Sequence, residues 1–256
     1  MQNLHLGTIG WSYNFWKGNF YPQKTLSKDF LAYYASQFDT VEVDNTFYRI
    51  PNEQAVAKWK NQTSGSFLFS FKFPRVITHV KMLKNCEQET AIFLQRTALL
   101  RNQIGALLLQ FPPNFGVDRF SDLADFLQRL PRDRRYVVEV RDEGWLKSDF
   151  YSLLRANGVA LAWVDSPKMS QNNEVLADFL YVRWEGDRAK VKGTLGKIEA
   201  DTSEGLRAWT EKLAPFLNKA VKIFGYFGKY YSGYPPSDVA ALSKMLNGTQ
   251  RKMDNN

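Results

Sequence analysis

Short apolar segments alternate with amphipathic helical windows along the whole chain, and no other feature restricts the fold as tightly. Strand-like runs occupy Leu4–Gly10, Thr40–Asp44, Phe67–Phe73, Ala106–Phe111, Tyr136–Arg141, Val159–Val164, Phe179–Trp184 and Val221–Phe227. Helical windows fall near Ser27–Phe38, Glu53–Gln62, Cys86–Asn102, Phe120–Leu130, Ser148–Asn157, Ser203–Asn218 and Asp238–Leu246. In the fourth window Phe120, Leu123, Phe126, Leu127 and Leu130 recur at helical spacing. Only the link between the sixth and seventh strands lacks a long helical pattern. Eight strands in this alternation imply a parallel sheet. The expected fold is therefore α/β: a closed (β/α)₈ TIM barrel forming a single domain over residues 1–246, with a frayed polar C-terminal tail at 247–256. An open doubly wound sheet competes with it, but no glycine-rich dinucleotide fingerprint follows an early strand.

Composition narrows the function classes. Cys86 is the only cysteine, so an intrachain disulfide and a cysteine-based zinc site are excluded. With only His5 and His79 beside it, no transition-metal centre is expected, while carboxylate-held Mg²⁺ stays open. A lone cysteine suits a reducing, cytoplasmic setting. Met1-Gln2-Asn3-Leu4-His5 does not read as a signal peptide, and no run approaches the ~20 apolar residues of a membrane helix. Lys and Arg exceed Asp and Glu by 34 − 26 = +8. That excess favours anionic partners, including phosphates or nucleic acid, although it also serves solubility alone.

The polar residues inside the strands carry the functional signal. Alternate strand residues face opposite sides. In the third strand Phe67, Phe69, Phe71 and Phe73 share the helix-facing side, which turns Lys72 into the barrel. By the same parity Glu42 faces inward between Val41 and Val43, and Glu139 and Arg141 face inward opposite Val138 and Val140. Gln110 shares a face with Leu108, and Arg183 with Tyr181. All fall near the carboxyl ends of their strands, where barrel enzymes place their chemistry. The resulting ring is Glu42, Lys72, Gln110, Glu139, Arg141 and Arg183, with two carboxylates and three cations. It reads either as a self-neutralising network that fixes the barrel or as a site whose surplus cation meets an anionic ligand. In the second case Glu42 or Glu139 would be the acid or base, Lys72 an electrostatic stabiliser or amine nucleophile, and Arg141 and Arg183 the anion clamp. Glu139 and Arg141 are then expected to matter more to function than to folding.

The turns add further candidates. Trp11 follows the first strand, Asn45 and Tyr48 the second, Trp145 the fifth, and Asp165 ends the sixth. Trp11 and Trp145 suit either packing or ligand stacking. His79 is a general base or an exposed loop residue, whereas His5, at the opposite end of the barrel, reads as structural. The loops Glu185–Lys197 and Gly228–Gly233 contain glycines beside Arg188, Lys197 and Lys229. They suit a phosphate as barrels often bind it, or are solvated turns.

Taken in order, Gly10-Trp11-Ser12-Tyr13, Val41 through Tyr48, Phe71-Lys72-Phe73-Pro74-Arg75 with Ile77-Thr78-His79, Gln110-Phe111-Pro112-Pro113, and Glu139-Val140-Arg141 with Trp145 resemble the YecE-like family, domain of unknown function 72. The resemblance spans almost the whole chain. It implies a TIM barrel, with Glu42, Asn45, Tyr48, Lys72, His79, Gln110, Glu139, Arg141, Trp145 and Arg183 at the family's motif positions. It implies no particular activity. Two stretches depart from the family pattern. Arg183-Trp184-Glu185-Gly186 stands where Arg-x-His-Gly is usual, and Gly228-Lys229 stands where an Asn-Asn pair is usual.

Three functions are consistent with this reading. The first is an enzyme acting on a small anionic metabolite, phosphorylated or not. The second is a nucleic-acid-binding protein or nuclease, and the third a non-catalytic partner-binding barrel. No membrane contact is expected, and the cofactor and the oligomeric state are both open.

Overall fold

A computed structural model describes residues 3–254. In chain order it contains β1 (Leu4–Thr8), α1 (Phe30–Gln37), β2 (Thr40–Val43), α2 (Glu53–Asn61), β3 (Leu68–Lys72), α3 (Glu87–Ala98), β4 (Ile104–Gln110) and α4 (Phe120–Arg129). There follow β5 (Tyr136–Glu139), α5 (Ser148–Ala156), β6 (Ala160–Leu161), β7 (Trp163–Asp165), β8 (Phe179–Gly186), α6 (Ser203–Leu213), β9 (Lys222–Tyr230) and α7 (Pro235–Asp254). All pairings are parallel, in the orders β2-β3-β4-β5-β6 and β1-β9-β8-β7.

Two seams join these arcs into one barrel. At the first, Ile9 bridges Glu42 and the Gly10 amide donates to the Glu42 carbonyl at 2.8 Å. Gly7 makes this approach possible, since a Cβ there would lie 2.2 Å from the Thr40 carbonyl oxygen. At the second, β6 and β7 are halves of one barrel strand. The Ala162 amide bonds Val138 at 2.9 Å, but its carbonyl is taken by the Asn172 side chain at 3.1 Å. That diverted carbonyl breaks the expected continuous strand, and the second half pairs with β8 instead of β5. The β7–β8 link, residues 166–178, contains no helix.

The side-chain parity matches the sequence expectation. Ala106, Leu108, Val137, Phe179, Tyr181, Phe224 and Tyr226 fill the barrel interior. Val41, Val43, Phe69, Phe71, Leu107, Leu109 and Val138 pack outward against the helices. Leu180, Val182, Trp184 and Ile223 do the same on the other arc with α6 and α7. Burial of this outward layer, at roughly 25 cal/mol per Å² of apolar surface, is the main force holding helices to sheet.

Two boundaries differ from expectation. Arg141 lies beyond β5, which ends at Glu139 opposite Gln110, the last residue of β4. The expected frayed tail at 247–256 is helical as far as Asp254, and residues 255–256 lie outside the described residues. Leu246 is fully buried, Thr249 Oγ1 bonds the Met245 carbonyl at 3.1 Å, and Gln250 bonds the Asn218 side chain, so these contacts extend α7 beyond its apolar stripe.

Candidate active site

β2, β5 and β8 each direct a charged side chain to one point near their carboxyl ends. Arg183 is 3% exposed and sits at the centre. Its Nε and Nη2 fork onto Glu42 Oε2 and Oε1, both at 2.9 Å. Its Nη1 donates to Glu139 Oε2 at 2.6 Å and to Glu185 Oε1. Arg141 Nε donates to Glu139 Oε1 at 2.8 Å, and its Nη2 to both Glu185 oxygens at 2.7 Å. Tyr181 donates its hydroxyl to Glu42 Oε2 at 2.8 Å. Three carboxylates therefore share two guanidinium groups, a net −1.

Glu185 changes the sequence reading. The ring of two carboxylates and three cations omitted it, and it absorbs the cation expected to be left over. Its signal was available, because Tyr181, Arg183 and Glu185 alternate on one face of β8. The anion clamp assigned to Arg141 and Arg183 is thus corrected, since their forks are filled from within the protein. Glu42 and Glu139 are 0% and 1% exposed. Burial pushes the Glu42 carboxyl above its ordinary range and outweighs the pull of Arg183. Burial also opposes ionisation of Glu185, but Arg183 and Arg141 together outweigh it and hold that group at about 2. The expectation that Glu139 and Arg141 serve function more than folding is reversed for Glu139, which is an interior charge bonded to two arginines.

Above this network opens a cavity of ≈ 440 Å³, lined among others by Lys72, Asp44, Gln110, Glu185, Arg188 and Lys229. Lys72 Nζ lies 3.5 Å from Asp44 Oδ1 and 4.1 Å from the centre of the Phe47 ring. Asp44, two residues beyond Glu42, went unassigned in the sequence reading although its parity pointed there. Gln110 donates to the Phe111 carbonyl, which orients its amide at the cavity wall. Lys168, Arg188 and Lys229 stand at the rim, and the last two pack over Tyr230 at 4.7 and 5.1 Å.

The remaining candidates separate. His79 sits in a π-helical turn, Val76–Val80, with its ring edge-on to Phe47 at 4.8 Å and Nδ1 2.9 Å from Thr78 Oγ1. Burial, then the charges of Lys72, Arg75 and Arg141, lower its imidazole to about 4, so it is neutral at pH 7. It does not line the cavity, which corrects its assignment to the site; its ring packs on Phe47, which Lys72 also meets. Asn45 and Tyr48 are exposed and do not line the cavity. Trp11 packs edge-on to Trp59 at 5.9 Å, and Trp145 stacks on Phe115 while its Nε1 donates to the Phe115 carbonyl at 2.7 Å. Both belong to the helix-facing core, which corrects their assignment to ligand stacking. Asp165 is likewise corrected: it faces α6 and accepts from Trp209 Nε1 at 2.6 Å. His5 is structural as expected, with Nδ1 2.6 Å from Asp39 Oδ2.

The glycine loop after β8 does not offer a phosphate nest. The Lys192 and Gly193 amides both donate to the Glu199 carboxylate at 2.9 Å, so an internal anion occupies that position. No group of three or more His, Cys, Asp or Glu side chains suited to a metal ion occurs among the described residues. None of their helices is long and apolar enough to cross a membrane.

Fold and site together define a parallel (β/α)₈ barrel with a polar cavity at the carboxyl ends of its strands, floored by a buried ion network. Comparison with known proteins narrows this class. The family model "Protein of unknown function DUF72" matches residues 5–256, and the chain belongs to that family. It is 36% identical over 138 residues to the UPF0759 protein YecE of Escherichia coli K12, a match covering 54% of this chain and 48% of that protein. The chain thus spans about half the length of that relative. To the UPF0759 protein YunF of Bacillus subtilis it is 26% identical over 181 residues, covering 66% of this chain and 63% of YunF. A DUF72 crystal structure from Thermotoga maritima superposes with a TM-score of 0.79 at 25% identity, covering 95% of this chain and 99% of the other. A D-psicose 3-epimerase from Clostridium cellulolyticum H10 shares the fold at 0.56 and 11% identity, over 96% and 97% of the two chains.

Proposed function

We propose that the chain is an enzyme acting on a small anionic metabolite, carboxylate- or phosphate-bearing, held in the carboxyl-end cavity. The observation that carries this reading is Lys72. It is a buried ammonium with a single carboxylate 3.5 Å away, at the edge of the cavity and not inside the ion network. An ammonium has three donors, and Asp44 engages one at most. The others suit an oxygen on which negative charge develops. Asp44 is the matching proton acceptor. A proton leaving a substrate carbon or hydroxyl would pass to its carboxylate, while the charge left behind settles opposite Lys72 Nζ. Lys168, Arg188 and Lys229 at the rim supply the attraction for the anionic group.

Glu42 and Glu139, the acid and base candidates of the sequence reading, take no proton-transfer step in this proposal. They are held by arginines below the cavity, and their role is to keep its floor rigid. The single buried Cys86 suits a cytoplasmic setting.

The reading is tested by a thermal-shift screen of sugar phosphates, hydroxy acids and keto acids on the full chain, followed by Lys72→Met and Asp44→Asn. A ligand should raise the melting temperature of the wild type. Lys72→Met should abolish that shift for hydroxy and keto acids and reduce it for sugar phosphates, and Asp44→Asn should retain binding but lose turnover. Equal ligand shifts in the wild type and Lys72→Met would remove the cavity from consideration. A short oligonucleotide belongs in the same screen, because the net charge of +8 suits nucleic acid as well. Binding that falls steeply with salt and ignores every metabolite would favour that second reading.

A further inference from the structure

We infer that the amino-terminal end of the barrel, opposite the proposed active site, holds a second site for a small phosphate-bearing ligand of two or more charges, such as pyrophosphate or a nucleotide. The face between the starts of β3, β4, β5, β8 and β9 encloses a cavity of ≈ 700 Å³. Arg101, Arg132, Arg134, Arg135 and Lys222 line it, against Asp133 and Asp178. Five cations less two carboxylates leave +3. At the opposite end, Lys72, Arg141, Lys168, Arg183, Arg188 and Lys229 are set against Asp44, Glu185 and Asp187, with Glu42 and Glu139 beneath. There six less five leaves +1. The larger uncompensated charge therefore lies at the end that the proposed chemistry does not use.

These cations are positioned without being neutralised. Arg132 donates to the Asn157 carbonyl at 2.9 Å and to its side-chain oxygen at 3.0 Å. Arg134 donates to the Leu94 carbonyl at 2.9 Å, and Arg135 lies over the Phe224 ring at 5.8 Å. Among the described residues only Arg134 has a carboxylate within 4 Å, and that partner, Asp133, is itself largely solvated at 3.7 Å. Guanidinium groups held by neutral carbonyls keep their charge for an outside acceptor, and their fork matches phosphate oxygens.

An unpartnered buried donor points to a ligand here, and the backbone at Arg101 offers a clean variant with which to test it. The Tyr136 hydroxyl is buried with no hydrogen-bond partner, on a side chain that lines this cavity and is 4% exposed. Burial raises its pKa to about 12 even though Arg134 and Arg132 act to lower it, so it remains a donor suited to an anion's oxygen. Arg101 has φ +51, a left-handed conformation that a side chain adopts at a penalty and glycine does not. The volume lies within the range of small-ligand pockets, which favours a nucleotide-sized occupant over a polymer.

The test is calorimetric titration of the full chain with inorganic phosphate, pyrophosphate, ATP and a ten-residue oligonucleotide. The variants are Arg101→Gly, Lys222→Gln and, as a control at the other end, Lys72→Met. Pyrophosphate or ATP should bind saturably. Arg101→Gly and Lys222→Gln should each weaken binding by about tenfold, the worth of a charge-assisted hydrogen bond, and Lys72→Met should leave it unchanged. Arg101→Gly should also melt no lower than the wild type, which separates lost affinity from lost folding. Absence of saturable binding of pyrophosphate and ATP would overturn the inference. Binding abolished by Lys72→Met alone would place the anion at the other end and overturn it as well. An oligonucleotide that binds far more tightly than either small probe and responds to the same variants would assign the face to nucleic acid instead.

Discussion

Replacing Arg183 with methionine should be among the most damaging single changes in this protein, and the damage should depend on pH. Methionine keeps the unbranched stem of the side chain as far as the position of Nε but removes the guanidinium that engages Glu42, Glu139 and Glu185. The network then goes from −1 to −2, and Glu42, fully buried, keeps only the Tyr181 hydroxyl. Breaking a buried pair by deleting one partner costs about 3–5 kcal/mol. A separate estimate agrees. Glu42 can escape an unpaired charge by taking up a proton, and from an ordinary value of 4.5 that costs about 1.36 × 2.5 ≈ 3.4 kcal/mol at pH 7. The same uptake costs only about 0.7 kcal/mol at pH 5. A carboxyl with a raised folded pKa favours the fold below its unfolded value and loses that favour as pH rises. The deficit should therefore grow between pH 5 and pH 7. Urea unfolding of wild type and variant at both values measures it, and at pH 7 a melting-point drop of roughly 6–20 °C is expected. Adding Glu42→Gln to Arg183→Met should recover part of the loss, because it removes the stranded charge. A deficit below about 1 kcal/mol at pH 7, or one equal at both pH values, would refute the buried-network reasoning.

Three further outcomes follow from the same structure. His79, lowered to about 4 against an unfolded 6.5, should make wild-type stability fall as pH drops through that window; His79→Gln should flatten this part of the pH–stability curve measured by denaturation. Asp238 is buried against the Ser232 and Thr202 hydroxyls, and burial lifts it from 3.8 to about 7. It should lower stability as pH rises from about 4 to 7, by no more than about 4 kcal/mol, and Asp238→Asn should remove that decline in the same assay. Gly7→Ala would drive a Cβ to 2.2 Å from the Thr40 carbonyl oxygen, so β1 and β2 must separate; a loss of at least about 2 kcal/mol in chemical denaturation is expected.

Much of the barrel was determined by the sequence alone. Strand and helix periods are local properties, and parity follows from the pleat of a single strand. That is why the inward direction of Lys72, Glu42, Glu139 and Arg183 is legible in the strand pattern alone. The same local rules could not say what those residues meet. Trp11, Trp145 and Asp165 look alike in sequence to ligand-facing groups at strand ends, yet their partners, Trp59, Phe115 and Trp209, are placed by helix packing distant in the chain. Likewise α7 runs on through a polar stretch, where Gln250 meets Asn218, 32 residues away. Parity along β8 could turn Glu185 inward, but only tertiary structure decided which carboxylates meet which guanidinium groups. Glu185 comes from β8 and the fork of Arg141 that it fills from just beyond β5, 44 residues earlier, and only the packing of the barrel brings those two points within hydrogen-bonding distance. Coulomb interactions act through space and fall off with separation. A charge count along the chain therefore leaves a spare cation, whereas the folded geometry leaves none in the network and moves the available charge to Lys72 and to the opposite face.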